Sequence, residues 1–119
     1  MLVWNETDVL TVLEVVPEIE ADQLSHIYST SKNGIKLEIT IFQYDGDVRF
    51  ELTNETNGSS IFTMQIMDCD GVLRKIDKTG EYLEFAPAKC FGGRYDGVTS
   101  IPYGVRVSVH PDIQVSLYG

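Results

Sequence analysis

Two consecutive segments alternate apolar and polar residues with a period of two, and each is introduced by a two-residue turn signal. Asn33-Gly34 precedes Ile35, Leu37, Ile39 and Ile41, which alternate with Lys36, Glu38 and Thr40. Asp45-Gly46 precedes Val48, Phe50 and Leu52, which alternate with Arg49, Glu51 and Thr53. Successive side chains of a strand point to opposite faces, so this pattern specifies strands with one buried and one solvated face. Asn-Gly and Asp-Gly supply the positive φ of tight hairpins, so the strands are expected to run antiparallel.

The rest of the chain reads in the same terms. Leu24, His26 and Tyr28 share one parity, with Ile27 out of phase. The polar connector from Asn54 to Ser60 reads as an exposed loop. Phe62, Met64 and Ile66 follow, with Ile61 and Met67 apolar on the other parity, which predicts a strand buried on both faces. Asp70-Gly71 turns the chain into Val72–Ile76, and Lys78-Thr79-Gly80 turns it into Tyr82–Phe85. Val105, Val107 and Val109 alternate with Arg106, Ser108 and His110, and Pro111-Asp112 leads into Ile113, Val115 and Leu117.

Before these strands, Val9, Leu10, Val12, Leu13 and Val16 recur at three-to-four spacing. The spacing predicts a short amphipathic helix, capped by Thr7 or Asp8 and stopped by Pro17. The valines lose rotamer freedom in a helix, which keeps a strand as the alternative. The expected fold is a mainly β, antiparallel β-sandwich of seven or eight strands with a short N-terminal helix. A half-apolar sheet needs a second sheet or the helix to cover it. With 119 residues, positions 1–119 are expected to form a single domain.

Charge narrows the partners. The net charge is -9. Residues 1–60 carry eleven acids against three bases, whereas residues 61–119 carry seven against six. Such a balance opposes nucleic-acid binding, which relies on cations displacing phosphate counterions. It favours a basic protein partner, steered toward Glu14, Glu18, Glu20, Asp22, Asp45 and Asp47. The first residues lack a basic region followed by an apolar one, and no run reaches 18 apolar residues. A soluble, cytoplasmic protein without membrane association is therefore expected. Cys69 and Cys90 are expected to be reduced and unpaired.

The run from Ala86 to Gly104 departs most from the strand pattern, with Pro87, Gly92-Gly93, Gly97 and Pro102 inside it. Its glycines let the backbone approach a ligand. Lys89, Cys90, Arg94, Tyr95, Asp96 and Tyr103 are the candidate ligand-loop residues, with Phe91 and Tyr103 as anchors. The competing reading is a long connection in which Arg94 pairs with Asp96 or Glu84. Cys90 acting as a nucleophile would need His26 or His110 beside it and a lowered thiol pKa. Asp68, Asp70, Asp45 and Asp47 sit at spacing two around Asp-Gly turns, too few oxygens for a calcium ion. No metal or cofactor is expected.

These features favour a small acidic protein-interaction protein, an inhibitor or immunity-type partner of a basic protein such as a toxin or nuclease. Blocking such a partner needs complementarity and no chemistry. The alternatives are a small-molecule or carbohydrate-binding sandwich using Tyr82, Tyr95 and Tyr103, a small enzyme built on the 86–104 loop, or a subunit whose edge strand completes a homo-oligomer.

Overall fold

The computed structural model describes residues 2–20 and 25–119. Among them one helix, α1 (Glu6–Leu13), precedes nine strands: β1 (Glu18–Ile19), β2 (Ser25–Lys32), β3 (Ile35–Phe42), β4 (Asp47–Asn54), β5 (Ser60–Ile66), β6 (Val72–Asp77), β7 (Gly80–Phe85), β8 (Gly104–Ser108) and β9 (Gln114–Tyr118). They form two antiparallel meanders, a five-stranded sheet in the order β1-β2-β3-β4-β5 and a four-stranded sheet in the order β6-β7-β8-β9. The expected sandwich and its N-terminal helix are both present. A ninth strand, the two-residue β1, was not expected; it pairs Ile19 with His26.

Asn33-Gly34 acts as its chemistry requires, whereas Asp45-Gly46 closes a four-residue loop between Phe42 and Asp47 in which Gly46 takes φ of 80° and Asp45 is not at positive φ. Asn33 and Gly34 take φ of 54° and 79°, the double positive of a tight hairpin turn. The resulting register lines up Tyr28, Ile39, Phe50 and Met64 across β2 to β5. A second row holds His26, Ile41, Val48 and Ile66. On the facing sheet Val72, Phe85, Val105 and Leu117 form one row, and Leu83, Val107 and Val115 another. The rows meet in one core, where Phe50 and Phe85 contact edge to face with centroids 4.9 Å apart. A one-residue slip of any strand would turn its row to solvent, so burial locks the register.

α1 adds Val9, Val12 and Leu13 to this core. Its cap is Asn5, whose side-chain oxygen accepts from the backbone N–H groups of Thr7 (2.8 Å) and Asp8 (3.1 Å). Thr7 and Asp8, the expected caps, are therefore the first turn. The helix ends before Pro17, at Glu14 in the left-handed region with φ 58°. β5 also differs from expectation. Ile61 and Met67 are more than half exposed, because β5 is an edge strand and the parity opposite Phe62, Met64 and Ile66 faces out. Leu24 and Asp22 lie outside the described residues.

Candidate functional site

The 86–103 segment folds back over the outer face of the four-stranded sheet and builds a second small core there. Ala86, Tyr95 and Ile101 are buried, with Val3, Leu73, Cys90, Phe91 and Tyr118 packed around them. The Asp70 carboxylate holds the segment by accepting from the backbone N–H of Cys90 (3.0 Å) and of Phe91 (3.4 Å). Phe91 stacks on Tyr95 at 4.6 Å, and the Tyr118 hydroxyl donates to the Ile101 carbonyl at 3.2 Å. Tyr95 and Ile101 are thus the buried anchors, with Phe91, expected to anchor, packed against them. Tyr103, expected to anchor, is 45% exposed.

The six candidate loop residues do not converge. Tyr95 is buried, which raises its hydroxyl pKa, with Asp96 and Glu84 adding to the shift. Lys89 and Arg94 are exposed. Asp96 closes a local turn, accepting from the backbone of Val98 and Thr99 and from the Thr99 hydroxyl. Those bonds, the Thr99 hydroxyl first, hold its carboxyl down at about 2. Arg94 is not what Glu84 pairs with; that partner is Arg106. Cys90 is half-buried, and burial raises its thiol pKa. Both histidines are engaged elsewhere. His26 lies 3.2 Å from Glu6 with its ring against Trp4, and His110 sits 2.5 Å from Glu14 and 3.3 Å from Lys32. The thiol–histidine arrangement that the enzyme reading requires does not form.

Beside the folded-back loop the same sheet face opens into a polar groove of about 290 Å³. Tyr82, Arg106, Ser108, Gln114, Ser116 and Thr79 are among the residues lining it. Arg106 donates through Nε to Glu84 at 2.8 Å and lies 4.0 Å from the Tyr118 ring centroid and 5.2 Å from that of Tyr82. Glu84 is only 2% exposed, and this arginine, itself 42% exposed, is its charged partner. At the groove rim Asp77 accepts from Thr79 and from the Tyr82 hydroxyl, which depresses its pKa. An arginine between two tyrosines is the composition of an interface anchor. Sequence reasoning passed over this cluster because Glu84 and Arg106 occupy the outward parity of their strands, where charge reads as a solvated face.

The acidic residues divide between the two ends of the five-stranded sheet. Glu14 is at the β2–β3 turn end, 3.9 Å from Lys32 and bonded to His110. At the opposite end the register brings the start of β2 beside the β3–β4 turn, through Ser25 paired with Phe42 and Phe42 with Asp47. Glu18, Glu20 and Asp45 are exposed there, and Asp47 caps the Asp68 backbone N–H at 2.9 Å. Asp68, exposed beside them, is an acid the sequence reading assigned only to a turn. Among the described residues no group of three His, Cys, Asp or Glu is placed to hold a metal ion. No helix among them is long and apolar enough to cross a membrane.

No family model matches the chain, and no curated protein matches it. Among solved structures it matches a chain of the contact-dependent growth inhibition toxin–immunity protein complex from Klebsiella pneumoniae 342. The TM-score is 0.76 at 15% sequence identity, over 98% of this chain and 95% of that one. The two share a fold. At this identity the surface residues are this chain's own.

Proposed function

We propose that this chain is an immunity-type inhibitor, which binds a basic protein toxin and blocks it by occupying its surface. The observation that carries the reading is the end-to-end likeness to a chain of a toxin–immunity complex. Its net charge of -9 supports the same reading, because charge of one sign steers a basic partner at high rate and suppresses wrong partners. The docking surface is the acidic end of the five-stranded sheet, with Glu18, Glu20, Asp45 and Asp47 as its contacts and Asp68 beside them. Glu14 lies at the far end with its charge already paired, so it adds to the overall field more than to the contact.

The test is protection. A strain deleted for this chain is expected to lose growth when mixed with its parent, and expression of the chain is expected to restore it. A triple variant, Glu18→Lys, Glu20→Lys and Asp45→Lys, should fold normally but fail to restore growth. Its bound partner, recovered by affinity capture, should be lost at much lower salt than from the unmodified chain. Unimpaired growth of the deletion strain beside its parent would remove the immunity reading. Restoration by the triple variant would remove the acidic end as the surface.

A further inference from the structure

The chain has four asparagines, and two of them, Asn33 and Asn57, precede glycine. An asparagine before glycine is chemically labile, because the next backbone nitrogen can reach the side-chain amide carbon and no Cβ shields it. The structure places the four in different settings.

Asn57 lies in the β4–β5 loop, where Glu55 to Ser60 are all exposed. Its side-chain oxygen accepts from the backbone N–H of Ser59 at 2.9 Å. The ring closed by that bond contains the Gly58 nitrogen, so the side chain is folded back along the backbone that would attack it. The Ser59 N–H also polarises the amide carbonyl and stays on its oxygen as negative charge develops there, the role of an oxyanion donor. A Cβ built on Gly58 would meet nothing within 4 Å, so the nitrogen is open to the side chain. One bond restrains the reaction, since the Gly58 N–H donates to the Asn54 carbonyl at 2.8 Å. That bond belongs to an exposed loop without buried side chains, the kind of segment that opens at least cost.

The other three asparagines each lack one part. Asn54 makes the same turn, accepting from the Thr56 N–H at 2.9 Å, but Glu55 follows it and its side chain crowds the nitrogen. Asn33 precedes glycine, but its amide donates to the Asp112 carboxylate, and among the described residues no backbone N–H is bonded to its side-chain oxygen. Asn5 precedes Glu6 and uses its oxygen to cap α1.

We propose that Asn57 is a self-modification site, converted to aspartate and isoaspartate through a succinimide. The Gly58 nitrogen loses its proton to solvent and bonds to the Asn57 side-chain carbon, and the C–N bond of the amide breaks with release of ammonia. Water then adds to either carbonyl of the five-membered ring and opens it. Ammonia leaves, water enters, and no atom changes oxidation state. A negative charge is added to a chain already at -9, and isoaspartate lengthens the backbone by a methylene. The new charge falls two residues from Glu55, whose N–H donates to the Gly34 carbonyl at 2.9 Å, at the β2–β3 turn end of the sheet. Glu18, Glu20 and Asp45 are at the other end, so this inference stands independently of the immunity reading.

Peptide mapping by mass spectrometry tests it, on the full chain aged for weeks at mildly alkaline pH, folded and in denaturant. In the folded chain Asn57 should convert while Asn33 and Asn54 stay intact. In denaturant Asn33 and Asn57 should convert at similar rates, since both precede glycine and only the fold distinguishes them. Gly58→Ala, which has open space for its Cβ, should remove the Asn57 product over the same incubation. Asn57→Gln, whose longer side chain cannot close a five-membered ring, should stay unconverted. Conversion of Asn33 as fast as Asn57 in the folded chain would overturn the proposal. So would an Asn57 that stays intact in the folded chain while it converts in denaturant, or a product undiminished by Gly58→Ala.

Discussion

The ring of Tyr95 packs on Gly71, so close that a Cβ added there would stand 2.2 Å from ring Cδ2 and 2.5 Å from Cε2. Gly71 joins the Cys69-Asp70 turn to β6, and its carbonyl accepts from the Ala86 N–H at 2.9 Å. The contact therefore fastens the 86–103 segment to the start of the second sheet. Gly71 is not at positive φ, so what it supplies is space. Gly71→Ala should destabilise the fold by about 1–3 kcal/mol, the usual cost of overpacking. In a Tyr95→Ala background the same substitution should cost far less. The check is a double-mutant cycle on denaturant midpoints, in which additive effects would disprove the contact.

Glu84 and Arg106 make a second test of the same face. The carboxylate is 2% exposed and the guanidinium is its charged partner. Arg106→Ala would remove the charged partner of a buried carboxylate; because the arginine is itself 42% exposed, the expected loss is about 1–3 kcal/mol. Glu84→Gln keeps an acceptor for Arg106 Nε and removes the buried charge, so it should cost much less. Equal losses from the two substitutions would mean that water reaches Glu84 and that the burial is not what matters. Chemical denaturation of both variants at neutral pH separates these outcomes.

Legibility in the sequence follows from where the determining contacts lie. β3 and β4 could be read because the period and the Asn33-Gly34 and Asp45-Gly46 turns are contiguous and agree with one another. β5 was misassigned because Ile61 and Met67 say nothing about which strand is at an edge; that depends on sheet order, which no local pattern holds. The helix boundary moved because Asn5 sits before the apolar spacing begins. In the 86–103 segment there is no period to tell Tyr95 from Tyr103, and Tyr95 is fixed by a glycine 24 positions earlier in the chain. The Glu84–Arg106 pair was hidden for a related reason. A charge on the outward parity reads as solvated, and the partner that Glu84 meets comes from a strand 22 positions later.

The helix cap gives a smaller, local effect. Asn5 satisfies two of the N–H groups that α1 leaves without helical partners, and the helix supplies Val9, Val12 and Leu13 to the core. Asn5→Ala should cost about 1 kcal/mol, while Asn5→Asp should be nearly neutral because Asp is an equally good cap. Thermal melts at one pH report both. A loss from Asn5→Asp equal to that from Asn5→Ala would show that the side chain acts through something other than the cap.

Two buried groups contribute to the loss of stability at alkaline pH. Burial raises the Tyr28 hydroxyl from 10.0 to about 12, with the Glu6 charge adding to it, and burial raises the Cys69 thiol from 9.0 to about 12. Both are neutral when protonated, so a raised folded-state pKa means the folded protein holds the proton more tightly than the unfolded chain. Their stabilising contribution is complete below the unfolded-state value and is lost as pH climbs toward the folded-state value. Unfolding free energy should therefore be insensitive to these groups near neutrality. It should begin to fall above about pH 9, where unfolded Cys69 ionises, and more steeply above about pH 10, where unfolded Tyr28 does. Cys69→Ala, whatever it costs in packing at neutral pH, should flatten the decline between about pH 9 and 12, and Tyr28→Phe should flatten it between about pH 10 and 12. Denaturant titrations of the three proteins across that range decide it, and parallel curves would show that neither group carries the pH dependence.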